Sequence, residues 1–147
     1  MTTPTFSIEP YKGALPVRFG MTTDEIESLL GDPQRRSTNF RKELTYDYEA
    51  FNVGFNKSKV VTHVGFVPGA SVEYDGEPVL TTEAFRRLIQ IDGEAKEVLG
   101  FVVLLNLGIA FTGFHDNDNS QRAVTAFEQG SYEKLSHKMK EFVLNSE

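Results

Sequence analysis

Apolar positions along this chain follow two periods. At Ile26, Leu29 and Leu30, and again at Phe85, Leu88 and Ile89, they fall at i, i+3 and i+4, which predicts two amphipathic helices with one stripe each to bury. Elsewhere they alternate. Leu44, Tyr46 and Tyr48, then Phe51, Val53 and Phe55, then Val60, Val64 and Phe66 predict three strands over 43–49, 51–56 and 59–67, with those side chains on the face that meets the helix. The second half predicts strands over 98–105, 107–114 and 122–127. A hairpin precedes each helix, over 6–9 with 15–19 and over 71–74 with 77–80, the latter turning at Asp75-Gly76, a dipeptide suited to tight turns. Thr22-x-x-Glu25 is a capping box, and Gly31-Asp32-Pro33 a stop signal.

The two halves carry matching strings in matching order. Ser7-Ile8-Glu9 returns as Ser71-Val72-Glu73, Thr22 to Leu30 as Thr81 to Ile89, Val53-Gly54-Phe55 as Ile109-Ala110-Phe111, and Phe66 to Gly69 as Phe127 to Gly130, at offsets of 64, 59, 56 and 61. A period near sixty exceeds that of ordinary solenoid units and suits two copies of a small α+β unit. The expectation is an α+β fold in one domain, 1–147, built from repeat units over about 6–69 and 70–130. Each unit is a β-hairpin, a helix and a three-stranded antiparallel sheet. A C-terminal helix over 131–144 follows, with Tyr132, Leu135, Met139, Phe142 and Val143 on one stripe and no counterpart in the first half.

Composition narrows the function classes. The sequence has no Cys, which removes disulfides, thiolate nucleophiles and Cys-based zinc sites and fits a reducing compartment. No apolar run approaches the length of a membrane span and no secretory signal is visible, so a cytoplasmic protein is expected. The net charge of −6 comes entirely from residues 71–147, where 13 acidic side chains face 7 basic ones, against 8 of each in residues 1–70. Nucleic acid is disfavoured as a partner, since phosphate binding needs clustered cations. A protein partner with a basic or neutral surface is favoured, and homodimerisation through the last helix stays open.

Catalytic motifs are missing: there is no HExxH, no phosphate-cradling loop and no nucleophile elbow. The outward face of the first predicted sheet carries Thr45, Asp47, Asn52, Gly54, His63 and Gly65, where Asp47 and His63 could form a general-base pair or a plain hydrogen bond. The loop 114–120 is the most acidic turn. Its Asp116, Asp118 and Ser120 imitate the first ligands of a calcium loop, but Gln121 stands where Gly is required and Phe127 where a bidentate Glu belongs. No metal site or cofactor is therefore expected, and the loop reads as a hairpin connection built of turn residues. Arg35-Arg36 and Arg41-Lys42 form a basic connector after the first helix.

The run Gly20-Met21-Thr22 to Gly31-Asp32-Pro33 resembles the helix signature of small outer-membrane lipoproteins of the SmpA/OmlA type, and the strands after it keep that order. In tandem the unit resembles the beta-lactamase inhibitory protein, whose two helix-and-sheet repeats clasp another protein. The lipobox Cys and the inhibitor's Cys pairs have no counterpart here. What the resemblance implies is a sheet face that binds proteins, an analogy of fold and not of site. The leading expectation is a non-enzymatic protein-binding module, in concrete form an immunity or inhibitor protein that neutralises a toxin or enzyme through Asp47, His63, Asp116 and Asp118. A small-molecule or peptide pocket between the two sheets, lined by Tyr46, Tyr48, Phe101 and Phe111, is the alternative. A hydrolase built on Asp47 and His63 comes third.

Overall fold

The computed structural model describes residues 5–114 and 122–142. The chain opens with three short strands, β1 (Thr5–Glu9), β2 (Gly13–Leu15) and β3 (Val17–Arg18), then helix α1 (Thr23–Leu30). Four strands follow: β4 (Arg35–Thr38), β5 (Leu44–Asp47), β6 (Phe51–Phe55) and β7 (Val61–Phe66). A hairpin of β8 (Ser71–Tyr74) and β9 (Glu77–Pro78) leads into helix α2 (Thr82–Asp92). Next come β10 (Lys96–Val98), β11 (Phe101–Leu104), β12 (Ile109–Thr112) and β13 (Ala123–Phe127), a 3-10 helix over Glu133–Lys138, and β14 (Lys140–Glu141).

These strands form two sheets, one of five in the order β3-β2-β1-β8-β9 and one of nine in the order β14-β10-β11-β12-β13-β7-β6-β5-β4. The expected α+β class with a closing C-terminal helix is thereby corrected: strand makes up 43% and helix 17%, with two α-helices and two large sheets. Instead of a last helix, the chain makes the 3-10 turn and then pairs β14 with β10, Lys96 opposite Glu141. The physical reason is that the apolar positions of this segment do not share one partner. Tyr132 and Met139 pack on the outer face of the nine-stranded sheet, while Phe142 packs inside against Phe85, with ring centroids 6.1 Å apart. One straight helix cannot reach both sides of a sheet.

Local chemistry explains the elements that do form. The Thr22 hydroxyl accepts from Glu25 N at 3.3 Å while Thr22 N donates to Glu25 Oε1 at 3.0 Å, closing the capping box of α1. In α2, Thr81 accepts from Ala84 N at 3.0 Å and Gly93 ends the helix in the left-handed region. Asp75 and Gly76, at φ 53° and 82°, turn the β8–β9 hairpin.

The two central strands join the halves. β13 pairs antiparallel with β7, with Val124 opposite Phe66, Thr125 opposite Gly65, Ala126 opposite Val64 and Phe127 opposite His63. Under the offset that carries Phe66 to Phe127, each of these pairs maps onto another pair of the same ladder, so the junction has local two-fold symmetry. Pairing between β1 and β8 is parallel, and the symmetry does not extend to the smaller sheet.

Between the sheets lies a core that draws on every layer: Phe6 and Ile8 from β1, Ile26 from α1, Phe85 and Leu88 from α2, Val53, Phe55, Val64 and Phe66 from one half of the large sheet, Leu104, Ile109, Phe111 and Val124 from the other. Helix α1 buries Ile26 in it and packs Leu30 against its margin, while Leu29 of the predicted stripe is exposed. Tyrosines hold that helix instead: the Tyr46 hydroxyl donates to the Glu27 carboxylate, and the Tyr48 hydroxyl to Gly31 O at 2.9 Å. Alternation fails once in β7, where Val61 and Val64 both point inward and Thr62 with His63 point out. A register shift between Gly54 and Phe55 on β6 accounts for it.

Candidate functional site

The nine-stranded sheet turns its second face away from the core. Over β10–β13 that face is apolar, with Val98, Val103, Ala110 and Phe127 buried beneath Tyr11, Tyr132 and Met139. Tyr11 lies against Gly108, where a Cβ would sit 3.2 Å from its ring, and its hydroxyl donates to Leu105 O. Over β5–β7 the same face carries Thr45, Asn52, Gly54, His63 and Gly65, and among the described residues no layer covers it.

Two cross-strand pairs set its relief. His63 stands opposite Gly54, and its imidazole lies flat over that glycine, so a Cβ at Gly54 would fall 2.0 Å from His63 Cε1. Asn52 stands opposite Gly65 and covers it likewise, 2.9 Å from a Cβ there. The small residues are thus filled from the neighbouring strand, and the face is a low shelf. Its floor continues into a groove of about 560 Å³ walled by Asn39, Arg41 and Glu43 on one side and by Glu128, Gly130 and Ser131 on the other. A smaller hollow of about 290 Å³ adjoins it through His63 and Ser131 and ends at Phe101 and Tyr132.

Electrostatics in the groove follow from partial burial. Desolvation holds the His63 imidazole below its ordinary pKa of 6.5 against the opposing pull of Glu43, so the ring is neutral near pH 7. Its Nδ1 lies 3.1 Å from the Thr62 hydroxyl. Glu128 is pushed up from its ordinary 4.5 by burial. On the covered half, burial raises Tyr132 to about 12.

The β4–β5 hairpin forms the outer rim. Asn39 organises its tip: the Asn39 side-chain oxygen accepts from Arg41 N at 2.9 Å and Glu43 N at 3.0 Å, and its amide donates to the Glu43 carboxylate at 2.9 Å. Lys42 turns at φ 64°. At this tip Phe40 is 90% exposed, with the Arg41 guanidinium 5.3 Å from its ring centre. A stiffened turn therefore presents an aromatic ring to water, with Arg41 and Lys42 beside it.

Of the residues expected to bind a partner, His63 lies on this face and Asp47 at its margin, while Asp116 and Asp118 lie outside the described residues. Asp47 and His63 do not pair. Asp47 stands opposite Asn52, two residues before the Gly54 of β6 that faces His63, and its carboxylate takes a 3.1 Å bond from Arg35 Nε. The four aromatics of the expected pocket are not brought together. Tyr46 and Phe111 are core residues, Tyr48 stacks on Phe51 at 4.8 Å, and Phe101 lies on the outer face 6.2 Å from Tyr132. Phe40 went unnoticed in the sequence, where its signal is one aromatic residue inside the polar, basic run 34–43. The basic connector of the sequence reading is partly strand β4, with Arg36 over the Tyr46 ring at 5.2 Å and 3.5 Å from Glu27.

Among the described residues, no group of His, Asp and Glu converges as a metal site would require, and no helix is long and apolar enough to cross a membrane. No family model, no curated protein and no solved structure matches this chain.

Proposed function

We propose that the chain is a protein-binding module that acts without chemistry of its own, and that its concrete role is that of an inhibitor or immunity protein occupying a toxin or enzyme. The observation that carries this reading is Phe40, an aromatic ring held almost wholly in water on a hydrogen-bonded turn, at the rim of an uncovered sheet face. Isolated exposed apolar residues are ordinary. What distinguishes Phe40 is its setting: the turn is ordered in advance, so little conformational entropy would be lost on binding, and an aromatic ring next to an arginine is the typical chemistry of an interface anchor. The shelf of Thr45, Asn52 and His63 would supply a flat, polar surround.

A cytoplasmic setting belongs to the same proposal, because a chain without Cys needs no oxidising compartment to fold. The test is site-specific photo-crosslinking. A benzoylphenylalanine at position 40 is expected to form a discrete adduct with one protein of the native cell, and the purified partner should bind the Phe40→Ala variant at least about tenfold more weakly. A partner that binds Phe40→Ala and His63→Ala as tightly as the wild-type chain would refute the assignment of this face.

A further inference from the structure

The protein-binding reading leaves open how a partner could engage the rim beyond a single ring, and the ladder of β4 supplies an answer. β4 ends the nine-stranded sheet. Asn39 N donates to Glu43 O at 3.1 Å, so in the alternation of an antiparallel ladder Ser37 and Arg35 exchange bonds with Thr45 and Asp47, and Arg36 and Thr38 turn their N–H and C=O groups to the open edge. The other sheet edges among the described residues, β14, β3 and β9, are two residues long, and β9 contains Pro78. Proteins blunt their edges with short strands and prolines. β4 alone is a four-residue edge without either device.

We propose that β4 is a docking edge for an extended, acidic segment of the partner protein, which adds a tenth strand to the sheet. This rests on the protein-binding reading above. Charge selects the occupant. Arg35, Arg36, Arg41 and Lys42 flank the edge, and although Arg35 is met by Asp47 and Arg36 by Glu27 and Asp32, Arg41 and Lys42 are in no ion pair among the described residues. A second copy of this chain fits poorly, because pairing two β4 edges brings two basic clusters of Arg35, Arg36, Arg41 and Lys42 together within a Debye length, and like charges at that range repel. An incoming strand with acidic residues at alternate positions would bond the backbone of Arg36 and Thr38 and place carboxylates beside the basic tip, with Phe40 at its end as the anchor.

The experiment titrates the full chain, labelled with nitrogen-15, with a capped heptapeptide of alternating glutamate and valine, and in parallel with its lysine counterpart. The acidic peptide is expected to shift the amides of Arg36 and Thr38 most, and the lysine peptide to leave them in place. Thr38→Pro removes an outward N–H without touching the bonds to β5 and should weaken binding about tenfold; Arg41→Glu with Lys42→Glu should weaken it comparably. An unchanged spectrum elsewhere shows that these variants fold. Shifts confined to Thr45, His63 and Thr125, an equal response to both peptides, or no response at millimolar peptide would each overturn the docking edge. Failure of the wider reading looks different: a partner crosslinked at position 40 that still binds Thr38→Pro sinks the edge alone, and peptide binding at β4 with no adduct at position 40 sinks the reading of the face alone.

Discussion

The two halves of the nine-stranded sheet share one inner face and treat their outer faces in opposite ways. β10–β13 carry Val103, Ala110 and Phe127 outward, and the chain's own Tyr11, Tyr132 and Met139 close over them. β5–β7 carry Thr45, Asn52 and His63 outward, and the described chain leaves them open. The junction at β7 and β13 is symmetric in register, so the asymmetry lies in what each outer face offers. An apolar face gains free energy from a cover and a polar, glycine-filled face does not, so Tyr132 and Met139 settle on one half only. The open half is where a second molecule can act.

One buried cluster underlies both halves of the sheet. Phe66 and Phe111 lie in different halves, both fully buried in the same cluster. Truncating either to Ala removes the aromatic body and leaves a cavity, at a cost of about 3–5 kcal/mol. Urea unfolding of both variants should show one transition, shifted to a similar degree. Two separated transitions, or the loss of only one half in amide exchange, would break the sheet into independent parts and the comparison with it.

The cover itself comes next in size. Tyr132 meets Phe127 at 4.7 Å and Phe101 at 6.2 Å, and as a partly buried ring its change to Ala should cost about 2 kcal/mol. Thr45→Ala on the open half should move stability by no more than about 0.5 kcal/mol. Equal losses from the two changes, measured by chemical denaturation, would mean that the outer faces are not treated differently at all.

How much of this the amino acids disclose depends on whether a residue's signal is local. Thr22, Glu25, Thr81 and Gly93 act within one helical turn, and both helices were legible from them. β6 and the Val64–Phe66 end of β7 alternate because one face is buried, and they were legible too, whereas the register shift that buries Val61 in place of the expected Val60 was not. β4 was not: as an edge strand exposed on both sides, Arg35 to Thr38 has no alternation to show. The C-terminal stripe misled for a related reason. Tyr132, Met139 and Phe142 have helical spacing, yet the sheet passes between their targets, and no local pattern encodes that. His63 could be placed on the polar face by counting in twos, whereas its distance from Asp47 depends on the registers of three strands. Phe40 carries its meaning in exposure alone, which a sequence does not display.

A smaller effect probes how the shelf is made. Gly54→Ala would thrust a methyl group into the His63 imidazole, and because that side chain is half-buried and able to yield, the cost should be about 1–2 kcal/mol. In the His63→Ala background the same change should cost markedly less. A double-mutant cycle with no coupling would show that the imidazole does not rest on Gly54, and that the open face has a different relief.

The smallest effect separates the halves by titration. His63 holds fewer protons folded than unfolded below pH 6.5, because burial lowers its pKa; stability therefore falls as pH drops from 6.5 through the lowered value. Glu128 is the reverse case. Burial raises it above 4.5, so the folded chain keeps its proton longer, and the stability this brings is present at low pH and lost as pH rises through the raised value. Both groups line the groove of the open half, while Tyr132 on the covered half, pushed up to about 12, stays neutral throughout. Denaturation midpoints followed across the weakly acidic range should show His63→Gln gaining on the wild-type chain toward acid and Glu128→Gln gaining toward neutrality. Parallel curves for all three chains would mean that neither group is desolvated by the groove, and that the open face is more fully hydrated than its geometry indicates.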